Sequence, residues 1–428
     1  IADIHTIKSL ENWIIPLVSK DEWAVLARLL HDPSLSTLSE AGAKPTSGEI
    51  IFNQETRPYL TEDSSYDLVL RGSHIQRYEL AEKAKQGTPL YLKKDEYLKN
   101  SRNDSKAFAH LESRVVYQEG SAIDAWRRVV PTFLPAGHIC GHKICYFTDY
   151  QINQFTLLAI FASSLINWLV ERLSTTNSLP AYLVGNLPFP VFDLQTDTGH
   201  RREWFETMQR FYKAGDFENL LVTVREVLES ASNAAVHDIL GFLSEQMISL
   251  NERKQAEMRS FLSSLENRLQ ILPKDNDGIQ AFSGHTIIQN YLGDYQKGEP
   301  ELPWSEMEYR LYQNRSRFAA NWAAVKGEVQ AEYEKSLAKL RPIKQRLAET
   351  DALIDKIVYR LYGLTDDEIR LIEQPAYEQA LAQAKEAVAA DRALQQDPEQ
   401  AAAALADRLL PAAQRLLQRV ETAAERAA

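Results

Sequence analysis

The chain has 428 residues, of which 44% are hydrophobic and 25% charged, and its formal net charge is -11. A chain of this length exceeds the size at which one hydrophobic core stops growing, so we expect two or more domains. The acidic balance argues against indiscriminate binding of nucleic acid. Its two cysteines exclude a disulfide scaffold and fit a reducing interior.

Targeting signals are not recognisable in the sequence. No apolar run reaches the roughly 18 residues that a membrane-spanning helix needs, and the first residues lack the charged and apolar regions of a signal peptide. The sequence therefore predicts a cytoplasmic protein without a membrane partner. Because the chain starts at Ile1 and ends in alanines, we expect a processed or excised piece of a longer polypeptide.

A short helix and a glycine-bearing loop come first. Ser19 and Glu22 have capping-box spacing, which predicts a helix start. The following loop carries Thr46, Ser47 and Gly48 before a strand-like apolar run. Its hydroxyls and backbone amides could contact phosphate oxygens. An ordinary turn is the alternative interpretation of these residues.

The segment from Arg71 to Lys143 is locally basic, with thirteen basic and eight acidic residues. A predicted strand, Tyr66 to Leu70, leads into a turn whose side chains could reach phosphates and base edges. These candidate contacts are Arg71, Ser73, His74 and Arg77. Structural ion pairs of the arginines, and a chance excess of bases on a solvated surface, are the alternatives.

The strand pattern from Gly137 to Phe147 contains His138, Cys140, His142 and Cys145, which are residue types that zinc prefers. On a strand the first three side chains share one face and Cys145 points to the other. The sequence has no second group of closely spaced ligands. We therefore predict a half-buried strand with no metal.

A mostly buried helix should form the spine of the first domain. Thr148 and Gln151 have capping-box spacing, and apolar residues recur at helical intervals from Phe155 to Leu169. A polar turn follows, and Tyr182 to Val184 is predicted to be a strand that ends before Pro188.

The remaining sequence is predicted to be helical. One long helix should span Ala234 to Leu272 and a second Trp304 to Ala348, with Pro342 inside it. Their length favours an antiparallel pair. Ala352 to Tyr362 is a further amphipathic helix stopped by Gly363. An Ala-rich helical tail follows.

Motifs of independent catalysis are missing from the sequence. It contains no GxxxxGK[ST] or GxGxxG phosphate loop, no GxSxG elbow and no HExxH. We therefore predict no catalytic, cofactor-binding or metal-binding residue in this chain.

Several segments, in their order along the chain, resemble the C-terminal part of adenine-specific DNA methyltransferases of type IIG restriction-modification and BREX-like defence systems, including the TaqI-like target-recognition domain. They are Gly42 to Phe52, Leu70 to Tyr78, Arg114 to Gln118, Leu157 to Trp168, Asn177 to Pro190, and Ile354 to Ile369 with the run VYRLYGLTDDEI. The family's catalytic NPP[FY] motif is missing, and Asn186 to Phe189 is no substitute because it lies at the end of the recognition domain.

The resemblance implies an α+β protein in three parts. Residues 1–195 would be a mixed α/β domain that recognises DNA, 196–372 a helical domain with a long antiparallel helix pair, and 373–428 an Ala-rich helical tail. Methyl transfer from S-adenosylmethionine would belong to a parent enzyme, whose catalytic domain lies in the same or a companion chain, with or without an endonuclease activity.

The expected partner is double-stranded DNA, with other defence-system proteins as further candidates. The predicted DNA contacts are Thr46, Ser47, Arg71, Ser73, His74, Arg77, Arg127, Arg128 and Lys143. The alternative is a helical protein-interaction scaffold within a defence complex, which reads no bases.

Overall fold

The structure, a computed structural model, describes residues 18–82, 84, 87–101, 105–195, 198–230, 233–271, 278–374, 378 and 398–419. It is an α+β protein, as predicted, in which small sheets in the first part are followed by long helices. The chain divides into two compact units: residues 1–248, 353–373 and 419–428 belong to unit 1, and residues 249–352 and 374–418 belong to unit 2.

The strands of unit 1 are short. In chain order they are β1 Leu35–Thr37, β2 Lys44–Thr46, β3 Leu60–Thr61, β4 Asp67–Leu70, β5 Ile75–Gln76, β6 Glu79–Leu80, β7 Tyr91–Leu92, β8 Arg114–Gln118, β9 Pro131–Leu134, β10 Ile139–Cys140, β11 Ile144–Thr148 and β12 Pro188–Pro190. They form a sheet of order β10-β4-β7-β3, a sheet of order β2-β11-β8-β9, and the pairs β1-β12 and β5-β6. Only the β4–β10 pair is parallel among these named strands.

The helices, in chain order, are α1 Lys20–His31, α2 Leu38–Ala41, α3 Lys94–Asn100, α4 Gln154–Phe161, α5 Ser164–Leu173, α6 Ala181–Gly185, α7 Thr198–Ala214, α8 Phe217–Glu229, α9 Ala234–Leu269, α10 His285–Gln289, α11 Trp304–Gln313, α12 Trp322–Leu361, α13 at residues 366–374 and α14 Pro398–Arg419. Of the two helix starts predicted from capping-box spacing, the one at Ser19 is confirmed and the one at Thr148 is not. Ser19 and Glu22 form a reciprocal capping box, and Thr365 and Glu368 form another, after Gly363 has ended α12 with a φ of 59°.

The buried spine of unit 1 is broken, whereas the sequence predicts one continuous helix. It begins at the N-cap Asn153 instead of near Thr148. Helix α4 ends before Ala162, and Ser163 caps the start of α5 by accepting a hydrogen bond from the N–H of Ile166. The break leaves the carbonyl of Ala162 available to side chains from other elements.

Other predicted elements also differ from the structure. Tyr182 to Val184 lies in helix α6, and the strand begins only at Pro188, where β12 pairs with β1. The predicted helix from Trp304 to Ala348 is interrupted between α11 and α12, and α12 then continues through the segment predicted as a separate helix after Ala352. Much of the Ala-rich tail, and the predicted helix end at Leu272, lie outside the described residues.

The observed division differs from the expected domain boundary near residue 195, because later residues pack with the first part of the chain. The hydroxyl of Thr156 donates to the carbonyl of His237 at 2.8 Å. The side chain of Asp355 accepts hydrogen bonds from the N–H and hydroxyl of Ser164 at 2.8 and 2.9 Å. Residues 198–248 and 353–373 therefore belong to unit 1.

Unit 2 has its own aromatic core, in which the rings of Phe261, Tyr291 and Tyr333 lie within 6 Å of one another. Across it Glu257 pairs with Lys339, and Arg268 with Glu332. Along α9 the residue number rises from 257 to 268, while the paired residue on α12 falls from 339 to 332. Helices α9 and α12 therefore run antiparallel here, as predicted.

No single helix among the described residues is long and apolar enough to cross a membrane. Helices α4 and α5 reach the required length only together, with a bend of 61° between them. Most of their apolar side chains are buried in the core of unit 1.

Candidate nucleic-acid interface

A cleft forms in unit 1 where two parallel strands end side by side. In the β4–β10 pair, Val69 is the partner of Ile139 and Leu70 of Cys140. The turns that follow these strands, Arg71–Ser73 and Gly141–Lys143, therefore emerge at the same edge. The N–H of Gly141 donates to the carbonyl of Leu70 at 2.9 Å, which holds the turns together.

A third segment completes the cleft. Ile50 forms a parallel bridge with Gly141, and its N–H donates to the carbonyl of Cys140 at 3.0 Å. Phe52 then projects to the ring of His142, with centroids 4.8 Å apart in an edge-on arrangement. The cleft has a volume of about 750 Å³ and is lined by Phe52, Leu70, Arg71, Gly72, Ser73, Gly87, Gly141, His142 and Lys143.

Three of the predicted contact residues, Arg71, Ser73 and Lys143, line this cleft together. The side chain of Lys143 is 54% exposed, and its ammonium lies 3.5 Å from a carboxylate oxygen of Glu119. This ion pair is loose enough for an incoming phosphate to compete for the ammonium.

Arg71 is held against the other wall. Its Nη2 donates to the carbonyl of Thr88 at 2.6 Å, while its Nε is buried and has no hydrogen-bond partner among the described residues. A Cβ at Gly87, where φ is 82°, would overlap the guanidinium. A glycine at that position therefore lets the arginine lie along the cleft wall.

Thr46 and Ser47 lie on the loop beside the cleft but do not line it. Thr46 is half-buried and pairs with Tyr146 across the sheet. Ser47 is exposed, and its hydroxyl accepts a hydrogen bond from Lys106 at 3.4 Å. Next to them, a Cβ on Gly48 would come within 2.9 Å of the backbone of His142, so the loop is packed directly against the cleft wall.

His74 is not available to DNA, contrary to the prediction. It is only 4% exposed, and its Nδ1 accepts the N–H of Arg71 at 2.8 Å. Burial lowers the pKa of His74 below its ordinary value, against the opposing effect of the Arg71 carbonyl, which lies 3.3 Å from Nδ1. The ring is therefore a neutral acceptor that shapes the turn after β4.

Arg77 stabilises the helix break and is too buried to reach DNA, which corrects its predicted role, and the half-buried Arg127 contacts the same break. The Nε and Nη2 of Arg77 donate to the carbonyl of Ala162 at 3.0 and 2.8 Å, and Arg127 donates to the same oxygen. Arg77 is 5% exposed. A cation is favourable at this site because the carbonyls at a helix C-terminus carry partial negative charge.

Arg128 has the same structural role at the next helix end, so the prediction that it contacts DNA is also wrong. It is 1% exposed. Its guanidinium donates to the carbonyl of Ser174 at 2.9 Å and to that of Ser121 at 3.2 Å, and also to that of Thr176. The side chain ties the polar turn after α5 to the sheet of β8.

A buried ion pair lies behind the cleft. Oε2 of Glu49 is 2.7 Å from Nη2 of Arg114, and both side chains are at most 3% exposed. Oε2 also accepts the N–H of Cys140. Burial raises the pKa of Glu49 to about 7, although Arg114 and the Cys140 amide act in the opposite direction.

The two cysteines do not form a metal centre with the neighbouring histidines. Both thiols are buried and unpaired as a disulfide, and burial raises the pKa of Cys140 and of Cys145. Within the part of the chain that the structure describes, no group of three or more His, Cys, Asp or Glu side chains could hold a metal ion.

Sequence reasoning missed Phe52, His142, Gly87 and Lys106 as parts of this surface. His142 carries a local signal, but its spacing to Cys140 and Cys145 suggests zinc. The remaining residues depend on the parallel pairing of β4 with β10, which joins segments about seventy residues apart and leaves no local pattern. Comparison with known proteins adds no assignment: no protein-family model matches this chain, and no curated protein matches it significantly.

Proposed function

We propose that this chain is the sequence-specific DNA-recognition module of an adenine-specific DNA methyltransferase of a restriction-modification or phage-defence system. Transfer of a methyl group from S-adenosylmethionine would be carried out by a catalytic domain outside these 428 residues. The observation that carries the DNA-binding part is the meeting of Arg71, Ser73 and Lys143 in one cleft. The methyltransferase part rests on the family resemblance of the sequence.

The chemistry of the cleft suits a DNA backbone and groove edge. Lys143 offers an exposed ammonium for a phosphate. Arg71 lines the cleft with a guanidinium whose positive charge would attract a phosphate. Because a duplex is too wide to enter a volume of about 750 Å³, it would lie across the rim, with Ser47 and Lys106 contacting the backbone beside it.

The local charge explains how an acidic protein could bind DNA. Arg77 and Arg128 are buried against main-chain carbonyls and Arg114 is buried with Glu49, so these three arginines present no exposed guanidinium to a duplex. We therefore expect modest nonspecific affinity, with discrimination carried by the cleft.

Selection from a random pool of DNA duplexes tests this proposal. The full chain should retain duplexes that share a short motif containing an adenine, since the parent enzyme would methylate that base. Lys143→Ala should weaken binding of the selected duplex. Arg202→Ala is the matched control, because Arg202 is an exposed arginine of the same unit whose ion pair, within the described residues, is with Glu206 on its own helix.

Absence of any enriched motif would contradict sequence-specific recognition. An enriched motif that lacks adenine on both strands would contradict the adenine-methyltransferase assignment while leaving DNA recognition standing.

A second candidate function, a protein-interaction scaffold, is favoured by one observation in unit 2. Tyr309 and Tyr312 on α11 are 54% and 48% exposed, and the guanidinium of Arg315 lies 4.4 Å from the ring centre of Tyr312. Tyrosine and arginine are enriched at protein interfaces. If this surface carries the function, Tyr309→Ala with Tyr312→Ala should abolish partner binding, whereas Lys143→Ala should leave it unchanged.

A further inference from the structure

Three segments of unit 1 meet at one carboxylate behind the cleft. Glu49 lies between the loop of Ser47 and the strand-like residue Ile50. Its Oε2 binds Arg114 on β8 and the N–H of Cys140 on β10. The end of β10 is flanked by β4 on one side and by Ile50 on the other. The carboxylate therefore connects this strand end to the sheet that contains β8.

Cys140, which Glu49 binds, immediately precedes in sequence the residues that form one wall of the cleft. Cys140 is followed by Gly141, His142 and Lys143, which line the cleft. The Cys140–Gly141 peptide is held on one side by the N–H of Ile50 and on the other by the carbonyl of Leu70, which precedes Arg71. Glu49 holds the preceding peptide, whose N–H is that of Cys140. The position of Lys143 relative to Arg71 therefore depends on the hydrogen bonds of this strand end, and the bond from the N–H of Cys140 to Glu49 is one of them.

Arg114 is itself fixed from two directions. Its Nη1 donates to the carbonyl of Glu112 and its Nη2 to that of His138, both at 3.0 Å. The guanidinium cannot follow Glu49 if the loop shifts. It therefore acts as a fixed anchor for the carboxylate.

The pair is poorly explained as a source of stability. Oε1 of Glu49 and Nε of Arg114 are buried and have no hydrogen-bond partner among the described residues. Buried ion pairs often contribute no more to stability than well-packed apolar side chains, and unsatisfied buried polar atoms carry a cost. A geometric role for the pair accounts for its presence better.

We infer that Glu49 is a positioning residue of the cleft: its ionised carboxylate, anchored by Arg114, fixes Cys140 and thereby the distance between Lys143 and Arg71. The inference rests on the proposed DNA-binding function of the cleft. It also makes the DNA affinity of the cleft depend on the protonation of Glu49.

The charge of Glu49 changes within the physiological range of pH, since burial raises its pKa to about 7. The charged or titratable groups that act on it are the Arg114 guanidinium and the Cys140 thiol. Burial raises the pKa of that thiol, so it stays neutral near pH 7. Protonation of Glu49 removes the negative partner of Arg114 and weakens the hold on the Cys140 amide.

Acidification should therefore weaken DNA binding. This direction is diagnostic, because a general gain of positive charge on the protein would instead strengthen binding as the pH falls. The affinity of the full chain for its selected duplex, measured by fluorescence anisotropy at fixed salt, should fall about five-fold or more between pH 8 and pH 6.

Glu49→Gln mimics the protonated residue and tests the assignment. The variant should bind at pH 8 about as weakly as the unaltered chain binds at pH 6, and its affinity should not fall as the pH is lowered over this range. Glu119→Gln is the matched control: it removes a carboxylate next to Lys143 and should keep the pH dependence. Near-UV circular dichroism at both pH values establishes that each variant is folded.

The outcomes separate the inference from the proposed function. If the unaltered chain binds no duplex at either pH, the proposed function fails. If it binds DNA but Glu49→Gln keeps the same pH dependence, or if acidification strengthens binding of the unaltered chain, the positioning role of Glu49 is overturned and DNA recognition is not.

Discussion

The guanidinium of Arg77 donates two hydrogen bonds to the main-chain carbonyl of Ala162, from Nε at 3.0 Å and from Nη2 at 2.8 Å. Ala162 lies at the break between α4 and α5, where the helix no longer uses this carbonyl. Arg77 thus stabilises a break in the buried spine, although its sequence context suggests a DNA contact.

Arg77→Ala should therefore destabilise the fold and not the DNA complex. Loss of buried hydrogen bonds from a charged donor should lower the free energy of unfolding by about 1.5–3 kcal/mol. Urea denaturation of Arg77→Ala and of the exposed control Arg202→Ala measures the difference. Unchanged stability together with weaker DNA binding of the folded protein would show that Arg77 contacts DNA after all.

Gly48→Ala should disturb both stability and the cleft. The added Cβ would meet the backbone of Gly141, His142 and Ile144, which cannot move as a flexible side chain can. Overpacking of this kind costs about 1–3 kcal/mol. Thermal unfolding compared with Gly120→Ala, whose Cβ would meet nothing within 4 Å, measures the effect. Equal melting temperatures of the two variants would contradict the close approach of this loop to the cleft wall.

The Arg201–Asp238–His237 network should give unit 1 a pH-dependent contribution to stability. Burial alone would raise the pKa of Asp238, but hydrogen bonds from Arg201 and His237 outweigh it and lower the pKa below the ordinary 3.8. A carboxylate with a lowered pKa stabilises the fold fully above pH 3.8, and this contribution is lost as the pH falls through the lower folded value.

Asp238→Asn should accordingly lower the free energy of unfolding by about 1–3 kcal/mol at pH 7. The difference from the unaltered chain should shrink below pH 3.8. Denaturant titrations at pH 7 and at pH 3 test this. The control is Glu206→Gln, which changes the carboxylate of the exposed ion pair with Arg202. A difference that is the same at pH 7 and at pH 3 would contradict an ionised Asp238 as its source.

Features set by neighbours in sequence could be predicted, and features set by distant contacts could not. The capping box of Ser19 depends on three-residue spacing and is present, although the same spacing at Thr148 does not start a helix, because that helix begins after Asn153. At the break after Ala162, by contrast, Asp355 binds Ser164 from 191 residues away. No periodicity in the helix itself records that contact.

The same distinction applies to the candidate site. Residue type alone cannot separate Arg71, which lines the cleft, from Arg128, which is buried against the carbonyl of Ser174. Both are arginines of one basic segment. They differ in what each side chain faces: Arg128 faces the end of helix α5, and Arg71 faces the open cleft. The position of Arg71 depends on the register of β4 with β10.

The salt dependence of duplex binding tests the central claim, that the cleft binds DNA through Arg71 and Lys143, most directly. Each phosphate contact contributes about 0.9 to the slope of log affinity against log salt concentration. For the selected duplex, Lys143→Ala should weaken binding and reduce the magnitude of this slope by about 0.9, the contribution of one phosphate contact. Arg71→Ala should weaken binding more than Lys143→Ala does. Arg202→Ala should leave both the slope and the affinity unchanged. Identical slopes and affinities for all three variants and the unaltered chain would contradict the account.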